Sequence, residues 1–152
     1  MRRTMQSDEA SLPDVFARLD RDAFLADAAR LVEEEVLAQT GVAGFAIRGA
    51  YRLVAGLRPG FLADALRQLY PAFAVRLGET VARKTAAQSY EDLFAAERAQ
   101  VATALLAVAD ARAARIQLRA VRAAYEKIRR HAEESVRRAA PRLGALLDRH
   151  VR

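Results

Sequence analysis

Residues 42–60 read VAGFAIRGAYRLVAGLRPG, an apolar segment that ends in Arg-Pro-Gly. Apolar residues recur along it at steps of three and four, which is the period of a helix face. The positions on this face are Ala43, Ile47, Ala50, Val54 and Leu57. The spacing therefore predicts a helix over residues 42–57 that the Arg-Pro-Gly sequence terminates.

Three small residues, Ala46, Gly49 and Gly56, form a strip beside this face. A glycine in a helix interior costs about 1 kcal/mol relative to alanine, so a structural benefit should offset that cost. We expect the strip to let a neighbouring helix approach closely.

The rest of the chain has the composition of a helical protein. Of its 152 residues 35 are Ala, 23 are Arg and only 2 are Lys, and Gly and Pro contribute 7 and 4. Ala and Arg are strong helix formers, and residues that favour sheets are scarce. A chain of this length buries roughly 70% of its unfolded surface without needing disulfides or metals. We predict an all-α fold, a compact single-domain bundle of six or seven helices over residues 11–152, after a disordered tail at 1–10.

Turn and capping residues occur at helical intervals. They predict helix starts at residues 11–14 and 89–92, a helix end at Gly41, a break at Tyr70-Pro71, and a kink or a start at Pro141. The apolar period after Ser89 predicts one helix of about five turns that reaches Arg112, and the pattern then continues from Ile116 to Leu147.

Several classes of protein are excluded or disfavoured by composition. The chain has no Cys, which excludes thiolate nucleophiles, Cys-ligated zinc and iron–sulfur clusters. The basic N-terminus has no apolar run behind it, unlike a secretory signal. The uncharged run at residues 101–109 is about half as long as a membrane span. We therefore expect a cytoplasmic protein that does not cross a membrane.

Candidate catalytic and metal-binding residues are few. His131 and Glu134 have a spacing at which two side chains can share a metal, but Ile128 and Leu147 stand three residues before the two His residues, where a di-metal bundle needs Glu. Adjacent carboxylates at residues 33–35 point about 100° apart and cannot share a ligand. The serines have no well-placed base to activate them. We expect no enzymatic activity, no metal and no cofactor.

Charge is distributed unevenly along the chain. The formal net charge is +6, and residues 112–152 alone carry a net charge of +8, from 12 Arg and Lys against 4 Asp and Glu. If one helix runs through this region, five arginines form a basic stripe on it: Arg112, Arg115, Arg119, Arg122 and Arg129. A stripe of this kind suits phosphate groups of nucleic acid or an anionic surface, whereas the simpler interpretation is a solvated helix face.

Aromatic residues cluster in the middle of the sequence, at Phe45, Tyr51, Phe61, Tyr70 and Phe73. Such clusters at helix junctions form a core, and they also line apolar pockets. An interface with another copy or with a protein partner is a further interpretation of these wide apolar faces.

Five short segments resemble the pattern of a known family. They are residues 40–51 (TGVAGFAIRGAY), 57–60 (LRPG), 69–73 (LYPAF), 124–129 (AYEKIR) and 140–144 (APRLG). The pattern G-x-x-G-x-A-x-x-x-A-Y, L-x-P-G, L-x-P-x-F is similar to that of a family of small uncharacterised all-helical bacterial proteins, a domain of unknown function, over roughly residues 25–150. The resemblance implies a helical domain and transfers no catalytic residue.

Together the residues predict a non-enzymatic interaction module or a module that binds a small apolar ligand. The alternative is binding of nucleic acid or an anionic surface through the arginine stripe.

Overall fold

The computed structural model describes residues 12–151, and this part of the chain folds into eight α-helices without a strand. In chain order the helices are α1 Asp14–Arg18, α2 Arg21–Leu37, α3 Gly41–Leu57, α4 Phe61–Arg76, α5 Gly78–Ala82, α6 Tyr90–Ala96, α7 Arg98–Ala113 and α8 Arg119–His150. The predicted all-α class is confirmed. The count exceeds the predicted six or seven because α1 and α5 are single short turns of five residues each. The expected tail at residues 1–10 lies outside the described residues.

The bundle is arranged around α8. This helix has 32 residues and is therefore about 48 Å long at about 1.5 Å per residue. Helices α2, α3, α6 and α7 all pack against it, and α4 packs against α2 and α7. No helix of the described residues is long and apolar enough to cross a bilayer.

Two helix starts are made by side-chain caps, and the sequence predicts the one at Ser89. Asp20 Oδ1 accepts a hydrogen bond of 3.2 Å from the Ala23 N–H at the start of α2. Ser89 Oγ accepts one of 3.0 Å from the Asp92 N–H at the start of α6. Each cap satisfies an N–H group that has no partner within its own helix.

Other predicted boundaries are wrong. The expected break at Tyr70-Pro71 is absent, since α4 runs through Pro71. An interior proline costs about 3 kcal/mol or more, but Tyr70 is anchored by tertiary contacts that hold this turn in place. Gly41 does take up a left-handed conformation, with φ of 76°. It begins α3, however, because α2 already ends at Leu37.

The predicted five-turn helix after Ser89 is divided in two at Glu97, whose backbone leaves the helical region with φ of −113° and ψ of 37°. The division lets α6 lie against α8 at Gly144. An added Cβ at Gly144 would stand 2.7 Å from the carbonyl carbon of Tyr90, a distance that real Cβ atoms do not show. One turn later, the carboxylate of Asp148 accepts hydrogen bonds from the N–H groups of Tyr90 and Glu91 at 2.9 and 3.0 Å.

The expected close packing of the strip on α3 is also wrong. A Cβ added at Gly49 or Gly56 would meet no atom of the described residues within 4 Å, so both glycines face open space. The glycine in close contact is Gly44, where a Cβ would stand 2.6 Å from the carbonyl oxygen of Gln39. Of the predicted inner face, Ile47, Ala50 and Val54 are buried, whereas Ala43 and Leu57 are exposed.

Candidate functional site

A cavity that is partly open to solvent lies between α2, α4, α7 and α8. Its volume is about 290 Å³ and its wall is almost wholly apolar. Protein interiors are normally close-packed, with few voids larger than a water molecule. This cavity is therefore the clearest candidate for a functional site in the described part of the chain.

Small side chains create the space. Six alanines line it, and they come from all four helices that form the wall: Ala28, Ala74, Ala109, Ala132, Ala139 and Ala140. Larger apolar residues complete the wall, namely Leu25, Leu31, Val36, Ile47, Leu66, Leu105, Leu106, Ile128, Val136, Leu143 and Leu147. A leucine at any of these alanine positions would occupy part of the cavity.

One side of the cavity is aromatic. Tyr70 packs edge-on against Phe16 and Phe24, with ring centroids 6.1 and 6.3 Å apart. The Tyr70 hydroxyl donates a hydrogen bond of 2.7 Å to the Phe16 carbonyl oxygen. Burial raises the pKa of Tyr70 to about 12, against the opposing effect of Arg21. Because its hydroxyl is already hydrogen-bonded to the backbone, Tyr70 acts as a wall of the cavity.

A second side of the cavity is polar. Gln39 Nε2 donates to Ser135 Oγ at 3.0 Å and to the Glu35 carbonyl oxygen at 3.1 Å. The Glu35 carboxylate forms ion pairs with Arg142 at 3.0 Å and with Arg138 at 3.7 Å. His131 lies one turn before Ser135 on α8 and also lines the cavity. These groups give the apolar space a single hydrogen-bonding end.

This polar end lacks the arrangement of a nucleophile and a base. Ser135 Oγ accepts hydrogen bonds from Gln39 and, at 3.4 Å, from Arg138, and within residues 12–151 no hydrogen bond joins it to His131. Glu35 is occupied by two arginines. The polar end is suited to hydrogen-bonding a head group.

The structure brings together only part of the predicted aromatic cluster. Tyr70 and Phe73 line the cavity. Tyr51 and Phe61 pair with each other instead, with ring centroids 5.7 Å apart, and Phe61 packs on a second small core formed by Ala50, Val54 and Ala124. Phe45 is 74% exposed and belongs to neither group.

The continuous helix required for the arginine stripe is absent. Helix α7 ends at Ala113 and α8 begins at Arg119, so Arg112 and Arg115 precede the helix that carries the remaining three. Arg122 donates from Nη2 to the carbonyl oxygens of Ala114 and Ile116 at 3.2 and 2.7 Å. It thereby caps the end of α7, where carbonyl groups lack partners.

Two further arginines of the stripe are engaged within the chain. Arg112 donates to Gln68 Oε1 at 3.3 Å, and Arg129 Nε donates to both carboxylate oxygens of Asp110, at 2.9 and 3.2 Å. The Tyr125 hydroxyl donates to the same carboxylate at 2.7 Å. The hydrogen bond from Arg129 holds the pKa of Asp110 below its usual range. Arg115 and Arg119 are exposed, and they are the two members of the stripe whose guanidinium groups make no hydrogen bond or ion pair with residues 12–151.

The carboxylates at residues 33–35 and the two His residues also take up structural positions. Arg142 joins Glu34 and Glu35 to α8, and His150 Nε2 lies 2.7 Å from Asp27 Oδ2. His131 and Glu134 are both exposed. Within residues 12–151, no three His, Asp or Glu side chains are grouped so that they could hold a metal ion.

A family model matches residues 12–151, which is the whole described part of the chain. It is that of a family of unknown function, DUF6918. The chain belongs to this family. Neither the curated proteins nor the solved structures gave a match to this DUF6918 domain. The resemblance to a helical family of unknown function is thus confirmed, and the family assigns no role to any residue.

Sequence reasoning missed the polar residues of the cavity in this DUF6918 domain. Gln39 lies about a hundred residues before His131 and Ser135, and no short motif links it to them. A signal was present in the alanines of α8, since Ala132, Ala139 and Ala140 share a side of the helix that also carries Val136 and Leu143. Small residues on an inward face indicate either close helix contact or empty space, and only the structure distinguishes the two.

Proposed function

We propose that this DUF6918 domain is a non-enzymatic binding module that holds a small, mainly apolar molecule in its central cavity. The observation that carries the proposal is the cavity itself, with about 290 Å³ of space, an apolar wall and a single polar end. An apolar wall of this kind favours apolar molecules, because their burial removes apolar surface from water.

The energetic cost of an empty cavity supports a ligand. An enclosed core cavity costs about 24 cal/mol per Å³. Because this cavity is partly open to solvent, its cost lies below the value of about 7 kcal/mol that its full volume would give. The total stability of an ordinary domain is about 5–15 kcal/mol. A bound molecule that fills the space would offset much of the cost, because it restores the contacts that the wall lacks.

The dimensions and polarity define the class of ligand. At about 30 Å³ for a water-sized group, the cavity holds about ten non-hydrogen atoms. An apolar chain fits between the alanines and leucines, and one small head group meets Gln39 and Ser135 at the polar end. We therefore propose a medium-length alkyl compound with one hydroxyl or another small polar group.

A chain-length series tests this proposal. Isothermal titration calorimetry with primary n-alkanols from hexanol to dodecanol measures the affinity of each for the purified protein. Each added methylene contributes about 0.8 kcal/mol, so affinity should rise about fourfold per carbon until the cavity is full and then level off. The Ala28→Leu variant should bind the longer alkanols more weakly, since the new side chain takes up space.

The matched control is Ala102→Leu. Ala102 is fully buried in α7 and does not line the cavity, so a folded Ala102→Leu variant should keep the same length dependence. If no alkanol binds, or if affinity rises without levelling off in both variants, the cavity is not a ligand site.

A further inference from the structure

The outward face of α3 is apolar along its whole length. At 3.6 residues per turn, seven positions of α3 lie within about 60° of one direction. They are Val42, Phe45, Ala46, Gly49, Leu53, Gly56 and Leu57, and we call them the α3 outer face. All seven are exposed, and Val42 and Phe45 are 90% and 74% exposed.

This exposure is unusual for such a helix. The opposite side of α3 carries Ile47, Ala50 and Val54, which are buried against the domain. A helix that is apolar on both sides is normally covered on both sides, and contiguous exposed apolar surface marks a site of interaction. Gly49 and Gly56 have open space around them. Their destabilising effect on the helix is therefore not offset by a close contact within the described residues.

The charged residues on α3 and in the loops at its two ends have one sign. Between Glu35 and Asp64 the sequence contains Arg48, Arg52 and Arg58 and no Asp or Glu. Arg52 is exposed at the edge of the face, and Arg58 follows the helix as its C-terminal cap. From the neighbouring α2, Glu33 interacts with Tyr51, which points to the other side of α3. The partner that contacts this face is therefore expected to offer an apolar region to the apolar side chains and an outer anionic layer to the arginines.

The size of the face argues against a second copy as the partner. A helix of 17 residues is about 25 Å long and about 10 Å wide, so its footprint is about 250 Å². A stable protein interface needs about 800 Å² from each partner. A second copy would also bring the same arginines to the contact without a carboxylate from this segment. Residues 1–11 offer only Met1, Met5 and Ala10 as apolar side chains, too few to cover it.

We propose that the α3 outer face docks on the surface of an anionic lipid bilayer. Phe45, Leu53 and Leu57 enter the boundary between head groups and acyl chains, while Arg52 and Arg58 remain at the level of the lipid phosphates. A bilayer surface requires no minimum footprint, because binding increases with the buried apolar area and with the attraction of basic residues to anionic lipid. The proposal is independent of the cavity and its ligand.

Vesicle flotation tests the docking surface. The full chain is mixed with vesicles of phosphatidylcholine, with or without phosphatidylglycerol, and the floating fraction is measured at low and high salt. We expect binding to the anionic vesicles that weakens as salt rises. The Phe45→Ser, Leu53→Ser double variant should bind more than tenfold less, and Arg52→Gln about fivefold less.

The control exchanges exposed apolar residues elsewhere. Val75 and Leu118 are 51% and 57% exposed and lie outside α3, so the Val75→Ser, Leu118→Ser variant should bind like the unchanged chain. Thermal unfolding of each variant checks that the fold is retained.

The proposal is overturned if the chain does not bind anionic vesicles, or if both double variants bind equally well. It is also overturned if light scattering shows a dimer that Phe45→Ser, Leu53→Ser dissociates, since a second copy is then the partner. If the protein floats with anionic vesicles but binds no alkanol, the membrane-docking proposal stands and the proposed cavity ligand is refuted.

Discussion

Replacing Ala28 with leucine tests whether the central cavity is real space. Ala28 is buried in α2 and lines the cavity, so the three added carbon atoms should enter the void. At about 0.8 kcal/mol for each buried carbon, less about 0.5–1 kcal/mol of side-chain entropy, the free energy of unfolding should rise by about 1.5–2 kcal/mol.

The same substitution at Ala102 should lower the free energy of unfolding. Ala102 is 0% exposed, at a position in α7 away from the cavity, and a larger side chain in a packed core typically costs about 1–3 kcal/mol. Urea unfolding followed by far-UV circular dichroism measures both variants against the unchanged chain. If Ala28→Leu is destabilised as strongly as Ala102→Leu, the site around Ala28 is already filled and the argument for a ligand fails.

Three further predictions concern the rest of the molecule. Gly144→Ala should lower the free energy of unfolding by about 1–3 kcal/mol, since its Cβ meets the backbone of α6, whereas Gly49→Ala in open space should raise it by up to about 1 kcal/mol; equal effects in urea unfolding would contradict this packing. The lowered pKa of Asp110 means that its pairing with Arg129 stabilises the fold fully above about pH 5 and is lost as pH falls through that pKa. Asp110→Asn should therefore cost less than about 1 kcal/mol near neutral pH and show a flatter loss of stability in acid, and an unchanged acid slope would refute this role. Labelled DNA or RNA should show no shift in a gel at moderate salt, because most of the predicted stripe is engaged, and a steeply salt-dependent shift would restore the nucleic-acid alternative.

The class of fold was predictable because it depends on local signals. The cap at Ser89 and the buried positions of α3 follow from residue type and spacing alone. The errors occur where tertiary contacts decide the outcome. Helix α4 continues through Pro71, where Tyr70 is hydrogen-bonded to the Phe16 carbonyl group. The helix after Ser89 is divided at Glu97, and this division allows α6 to pack against α8.

The candidate site was predictable only in part. Tyr70 and Phe73 line an apolar space, but the sequence grouped them with Phe45, which faces outward. Hydrophobicity alone predicts that a side chain is buried. It does not show which helix, ligand or partner buries it. The cavity lies between helices that are distant in sequence, so its presence cannot be predicted from any single segment.

The position of α8 has a consequence for how the chain acquires its structure. Because α2, α3, α6 and α7 all pack against α8, they lack their common partner until this last helix has emerged from the ribosome. Their inward faces remain uncovered during most of synthesis, a period in which exposed apolar surface favours aggregation. Cooperative folding of the bundle is therefore expected only after translation of the final helix, and nascent chains halted before residue 119 should be clients of molecular chaperones.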